Sequence, residues 1–173
     1  MNKSKQISYI LRHNPASVGL SVDANGWVWV DALCSALEIT FDDLKEIVET
    51  NNKQRFEFDV SATMIRARQG HSIPVDLELK PIEPPDVLLH GTKENVLDLI
   101  LVSGISKMSR QYVQLSETQQ TAIEVANRRS GRSVILRINA KEMYADGYEF
   151  FLSANGVWMT EHVPPKYIFA LDP

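Results

Sequence analysis

Four of the chain's eight prolines, Pro74, Pro81, Pro84 and Pro85, fall within twelve positions. Proline fixes φ and supplies no backbone N–H, so such a stretch neither continues a helix nor sits inside a sheet. It reads as an extended connector and divides the 173 residues into segments 1–80 and 81–173. Each segment is long enough for one small core. Each carries nine basic and eleven acidic residues, giving a formal charge of −4 overall. That balance argues against a protein that coats nucleic acid through bulk positive charge. No apolar run approaches the roughly 18 residues that span a bilayer, so no membrane association is expected. The opening MNKSKQISYILRHNP lacks the apolar core and small-residue cleavage site of a secretory signal. A single cysteine, Cys34, cannot close an internal disulfide, and a reduced, cytoplasmic setting is expected. Four histidines and one cysteine, none at ligand spacing, predict no metal site. Nothing in the sequence pattern marks an oligomer, so a monomer is expected.

The first segment opens with Ile7, Ile10 and Leu11 at helical spacing, predicting a helix from Lys3 to His13 that Asn14-Pro15 ends. Arg12 and His13 then lie in its last turn, where the helix dipole favours cations. Asp23 to Gly26 reads as a turn into the apolar run Trp27 to Val30. Asp31 is expected to cap a helix from Ala32 to Leu37, and Thr40 with Asp43 forms a capping-box pattern for a helix through Val48. Arg55 to Phe58 alternates like a strand, with Met64 to Ala67 as its partner. Helix, short strand, two helices and a β-hairpin is the winged-helix order.

Beyond the connector, Val87 to Leu89 reads as a buried strand ending at His90-Gly91-Thr92. Thr92 is expected to cap a helix whose apolar face is Val96, Leu97, Ile100 and Leu101, stopped by Gly104. Val113 to Leu115 predicts a strand, and Ser116 with Gln119 a capping box for a helix through Arg128. Val134 to Ile138 is a further strand. Tyr148 to Leu152 and Val157 to Met159 flank Asn155-Gly156, a hairpin signal, and Tyr167 to Leu171 is the last strand. The fold class expected is α+β.

Three stretches can carry chemistry. His90-Gly91-Thr92 places a glycine where a ligand could approach the backbone and amides could meet an anion; a plain turn explains it equally well. No second His-x-Thr or His-x-Ser exists, which excludes a two-histidine phosphodiesterase. Arg66 and Arg68 share one strand face by period-two alternation, ahead of Gln69-Gly70-His71-Ser72. Arg110, Arg128, Arg129, Arg132 and Arg137 fall within 28 positions. Arginine presents a planar fork of donors matched to phosphate, so a few of them can bind one phosphate on an acidic protein. Taken singly, each stretch also reads as a solvated wing or a charged helix end.

Together these pieces resemble one family. Leu11-Arg12-His13, Asn25 to Leu33, Ile65 to Ser72, His90-Gly91-Thr92, Arg129 to Arg132 and Ser153 to Ile168 match, in order, the motifs of the RNA 2′-phosphotransferase family, Tpt1 in fungi and KptA in bacteria. The resemblance covers nearly the whole chain. It implies an N-terminal winged-helix RNA-binding lobe, 1–80, and an ADP-ribosyltransferase-like NAD-binding lobe, 81–173. It also implies the reaction. An internal RNA 2′-phosphate, as left at a tRNA splice junction, attacks C1″ of NAD and expels nicotinamide. The ribose O2″ then attacks phosphorus, releasing RNA with a 2′-hydroxyl and ADP-ribose 1″,2″-cyclic phosphate. The implied catalytic residues are Arg12, His13, Arg66 and Arg129. His90, Gly91, Thr92 and Ser116 are the implied cofactor-binding residues.

The chain departs from the family pattern at Gln114, where histidine is usual, at Leu89, where tyrosine is common, and at Ser130, also usually histidine. Glutamine can donate and accept hydrogen bonds but carries no charge. No glutamate stands near Asn155-Gly156-Val157 to activate a neutral acceptor. A phosphate monoester with a second pKa of about 6 is mostly dianionic near neutrality and needs no such base. Two other readings fit the same residues: an ADP-ribosyltransferase that caps terminal nucleic-acid phosphates, and a non-catalytic RNA-binding module.

Overall fold

The computed structural model describes residues 3–170. The chain forms two compact units, Met1–Leu79 and Lys80–Pro173. No helix or strand occurs from residue 68 to residue 87, the stretch that holds the prolines. Every sheet is antiparallel, and helices alternate with strands in both units, an α+β arrangement.

In the first unit, α1 (Lys3–His13) turns Ile7, Ile10 and Leu11 inward, as the spacing requires. Asn14 precedes Pro15, which opens a single 3-10 turn, Pro15–Val18. Then follow β1 (Val28–Trp29), α2 (Val30–Leu37), α3 (Phe41–Glu49), β2 (Phe56–Phe58) and β3 (Met64–Ala67). The strands pair in the order β1-β3-β2, with Val28 opposite Ile65 and Glu57 opposite Arg66. Leu33, Leu44 and Ile65 are fully buried in the core that α1 to α3 form on this sheet. Each such side chain contributes about 1.5–3 kcal/mol by leaving water. Thr40 and Asp43 make the reciprocal capping box. Asp31 does not cap α2. The helix begins at Val30, one residue before Asp31, which therefore lies in the first turn.

In the second unit, β4 (Leu88–Lys93), α4 (Leu97–Ser103), β5 (Ile105–Ser106), β6 (Val113–Leu115), α5 (Gln119–Ala126) and β7 (Ser133–Ile138) lead to α6 (Ala140–Ala145). The short strands β8 (Phe151–Leu152), β9 (Trp158–Thr160), β10 (His162–Val163) and β11 (Ile168–Ala170) complete it. Three small sheets result, ordered β11-β7-β4, β6-β9-β8 and β10-β5. Backbone bonds between Leu89 and Ser116, 2.8 Å in each direction, link the first two. Leu88, Leu136, Ile138, Phe150 and Tyr167 are fully buried at the centre.

Several expectations change here. Thr92 is not a helix cap, because β4 continues through Lys93 and a 3-10 turn, Glu94–Val96, intervenes before α4. On α4 only Ile100 is buried and Leu97 partly so, while Leu101, and Val96 in the preceding 3-10 turn, stay exposed. Ser116 does not cap α5; Thr118 does, accepting from the Thr121 amide, since Ser116 is committed to the bridge with Leu89. The helix ends at Ala126 rather than Arg128. The hairpin strand expected from Tyr148 begins at Phe151. Residues Pro165–Tyr167 form a 3-10 turn ahead of β11, and Leu171 lies outside the described residues.

Candidate functional site

Within the first unit, Arg66 stands on β3 with its guanidinium fixed from three directions. Its Nε donates to Glu57 Oε1 at 2.7 Å, its Nη1 donates to the Asn25 carbonyl at 3.2 Å, and the group lies 4.4 Å from the Trp27 ring centroid. The same carboxylate pairs with Arg68, whose Nε is 3.2 Å from Glu57 Oε2. Glu57 is thus shared between two arginines, and both partners are largely shielded from solvent. A fork held this way keeps its direction without spending side-chain entropy when an anion arrives.

Arg12 and His13 occupy the last turn of α1, as their position before Asn14-Pro15 dictates. Arg12 is buried. The segment after β3 folds back onto this turn: the amides of Ser72 and Ile73 donate to the Arg12 carbonyl at 2.9 and 3.4 Å. Ser72 Oγ lies 2.9 Å from His13 Nδ1. Between them His71 is buried, with no hydrogen-bond partner on either ring nitrogen. Burial, and then the charges of Arg12, His13 and Arg66, push its pKa down to about 4. The His71 imidazole is therefore neutral near pH 7.

In the second unit, alternation along β4 sends His90 and Thr92 to one face and Gly91 to the other. Gly91 faces α5 so closely that a Cβ there would lie 2.0 Å from the Ala122 carbonyl oxygen and 3.1 Å from Ala126 Cβ. The missing side chain is accounted for by helix packing on that face. His90 is desolvated, which lowers its pKa, and its Nδ1 lies 3.2 Å from the Gln114 carbonyl. A carbonyl only accepts, so Nδ1 carries the proton and Nε2 of the neutral ring is an acceptor. Ser116 sits beside this strand through its bridge to Leu89. Gln114, two residues before Ser116, receives a hydrogen bond on Oε1 from Arg110 Nη1 at 2.5 Å.

Arg128 and Arg129 follow α5, and both side chains are exposed. Arg132 pairs with Glu94 at 3.1 Å, while Lys93 Nζ donates to the Gly131 carbonyl at 2.7 Å and Ser133 Oγ at 2.8 Å. Those bonds pin the loop that carries Arg129. The expected residues therefore fall into two sets, Arg12, His13 and Arg66 in one unit, and His90, Gly91, Thr92, Ser116 and Arg129 in the other. Sequence reading did not single out Glu57, Trp27, Ser72 or the buried ring of His71. His71 and Ser72 stand inside a quoted motif, but Glu57 becomes visible only once the β2–β3 register is known.

A family model described as RNA 2′-phosphotransferase, Tpt1 / KptA family, matches residues 1–162. Proteins named "Probable RNA 2′-phosphotransferase" match along nearly their full lengths. That of Acaryochloris marina is 45% identical over 98% of this chain and 96% of its own. That of Fusobacterium nucleatum is 48% identical over 94% and 93%. That of Nostoc punctiforme is 45% identical over 95% and 93%. With a family model and relatives agreeing over both units, the chain belongs to the RNA 2′-phosphotransferase, Tpt1 / KptA, family.

Proposed function

We propose that this protein removes an internal 2′-phosphate from RNA of the tRNA splice-junction type, using NAD as co-substrate. In this reading residues 1–80 form a winged-helix RNA-binding lobe and residues 81–173 an ADP-ribosyltransferase-like lobe. The observation that carries it is the fixing of the Arg66 guanidinium by Glu57, the Asn25 carbonyl and the Trp27 ring, while the segment after β3 is tied to the Arg12-His13 turn through Ser72. Such an arrangement of cations suits a phosphate dianion. Arg66, held by Glu57, Asn25 and Trp27, offers its guanidinium edge to the 2′-phosphate. Arg12 supplies further donors. Charge-assisted hydrogen bonds of this kind are worth about 1.5–3 kcal/mol each.

The dianion attacks C1″ and nicotinamide departs, so no general base is required in this step. The 2′-phospho-ADP-ribosyl RNA then loses its RNA when O2″ attacks phosphorus. Negative charge grows on the equatorial oxygens, where prearranged arginines stabilise the transition state. His13, oriented through Nδ1 by Ser72, moves a proton between O2″ and the departing RNA 2′ oxygen. On the NAD side, His90 Nε2 and the hydroxyls of Thr92 and Ser116 are acceptors and donors for ribose hydroxyls, and Gly91 keeps β4 against α5. The products are RNA 2′-hydroxyl, nicotinamide and ADP-ribose 1″,2″-cyclic phosphate.

The test compares the protein with its Arg66→Ala and His13→Ala variants on an oligoribonucleotide bearing one internal 2′-phosphate, with NAD. The unaltered protein is expected to yield the 2′-hydroxyl. Each variant is expected to lose at least about a hundredfold in rate while keeping an intact fold, read as a retained cooperative unfolding transition. Full activity in either variant would contradict the assigned roles. A stable ADP-ribosylated RNA as the end product of the unaltered protein would contradict the second step.

A further inference from the structure

Trp29 is 60% exposed, although an indole is among the largest apolar groups a chain can bury. Its place in the chain makes that exposure costlier. Trp29 is the N-cap of α2, the position from which Ser, Thr, Asp or Asn accepts a backbone amide, and the indole makes no such bond. Trp29 therefore serves neither the core of the first unit nor the start of the helix.

The register of the sheet sets what stands beside it. Val28 and Ile65, opposite one another, turn into the core, so Trp29 and its partner Met64 turn to the other face. Arg66, two residues beyond Met64 on β3, shares that outer face, as does Glu57 opposite it. Trp27, two residues before Trp29, has the Arg66 guanidinium 4.4 Å from its ring centroid. One pleat repeat, about 6.4–6.8 Å, thus separates an indole covered by a guanidinium from an indole left open to solvent. Met64, half-buried beside Trp29, widens the apolar surface with an adaptable side chain.

A single-stranded nucleic acid is held by this combination, cations on its backbone and an aromatic face on which a base stacks. An apolar protein surface would also cover the indole, but the guanidinium one repeat away favours a ligand that carries phosphate beside each flat ring. We propose that Trp29 is a stacking platform for a nucleobase of the RNA next to the 2′-phosphorylated nucleotide, so that the protein selects a flank whose bases are free to unstack. Placing that base next to the 2′-phosphate rests on the role given to Arg66 above; the stacking of a base on Trp29 does not.

Equilibrium binding without NAD tests this apart from the reaction. Three kinds of oligoribonucleotide are titrated: one with an internal 2′-phosphate, the same strand with an abasic nucleotide on one or the other side of the phosphate, and the strand lacking the 2′-phosphate. The proteins are the unaltered chain, Trp29→Ser and Trp29→Phe. Serine is a preferred N-cap residue, and a retained cooperative unfolding transition shows that the variant is folded. Trp29→Ser is expected to lose at least about fivefold in affinity for the intact strand, the equivalent of one base stack. One of the abasic sites is expected to cost the unaltered protein a similar factor and Trp29→Ser less than about twofold. Trp29→Phe keeps a π-face and is expected to stay within about threefold of the unaltered protein. Should Trp29→Ser fold poorly, Trp29→Leu, apolar but without a π-face, carries the comparison. The unphosphorylated strand tells the two readings apart: a base-dependent loss on it, with no gain from the 2′-phosphate, would contradict the role of Arg66 and support the platform. Affinities within about twofold in every variant, or an abasic cost equal in the unaltered protein and Trp29→Ser, would overturn the inference.

Discussion

Arg66 reaches its working direction through an ion pair, a carbonyl and an aromatic face, and only an arginine can use all three at once. Lysine would keep the charge but lose the Nε and Nη1 contacts. Arg66→Lys is therefore expected to lower the rate of 2′-phosphate removal about 10- to 100-fold, measured in single turnover. A rate within about twofold of the unaltered protein would show that charge alone suffices. Arg66 was legible as one residue of a motif; Glu57 was not, because a cross-strand partner depends on register and no local pattern fixes that. His71 makes a second prediction. Its pKa is near 4 in the folded chain against 6.5 in the unfolded one, so at intermediate pH the unfolded state takes up a proton that the folded state refuses. Stability is full above about pH 6.5 and declines as pH falls towards 4, by about 3 kcal/mol in total. Urea unfolding between pH 7 and 4 should show that decline, and His71→Asn should lack this component. An identical decline in both proteins would rule out His71 as its source.

At the scale of elements, the strand β4 and the helix α5 are joined by the absence of one Cβ. Gly91→Ala would drive a methyl into the Ala122 carbonyl, and backbone cannot yield as a side-chain tip does. The expected cost is about 1–3 kcal/mol, read as a lower denaturation midpoint; an unchanged midpoint would mean that α5 shifts freely. The same region shows why caps were misread. Ser116 and Thr118 both precede a plausible helix start, and the sequence pattern alone favours Ser116 with Gln119. The choice was settled by a long-range bond, since Ser116 is held by Leu89, 27 positions away, and the helix begins two residues later. Thr92 was misplaced for a related reason: β4 extends because β7 pairs with it through Lys93 opposite Ser133. Where the determinants were local, as in the Thr40–Asp43 box or the end of α1 before Pro15, the sequence reading and the structure coincide.

For the whole molecule, a net charge of −4 supplies no bulk attraction to RNA, so the proposed reading expects RNA to be held at few points. With Arg12 and Arg66 proposed to hold the phosphate, the affinity for a single-stranded 2′-phosphorylated oligonucleotide should fall with salt at a log–log slope of about −1.4. A slope steeper than about −5 would indicate an extended basic track instead. The family was legible from ordered motifs spread along the chain, while the contacts that orient the motif residues came from pairing and packing that no single segment encodes. The most direct test of the central claim follows the phosphorus itself. An oligoribonucleotide with an isotopically labelled internal 2′-phosphate is incubated with the protein and NAD, and the label is located by mass spectrometry. The account predicts that it leaves the RNA entirely and appears in ADP-ribose 1″,2″-cyclic phosphate, with one nicotinamide released per phosphate. Label released as inorganic phosphate, or remaining on RNA after NAD is consumed, would contradict it.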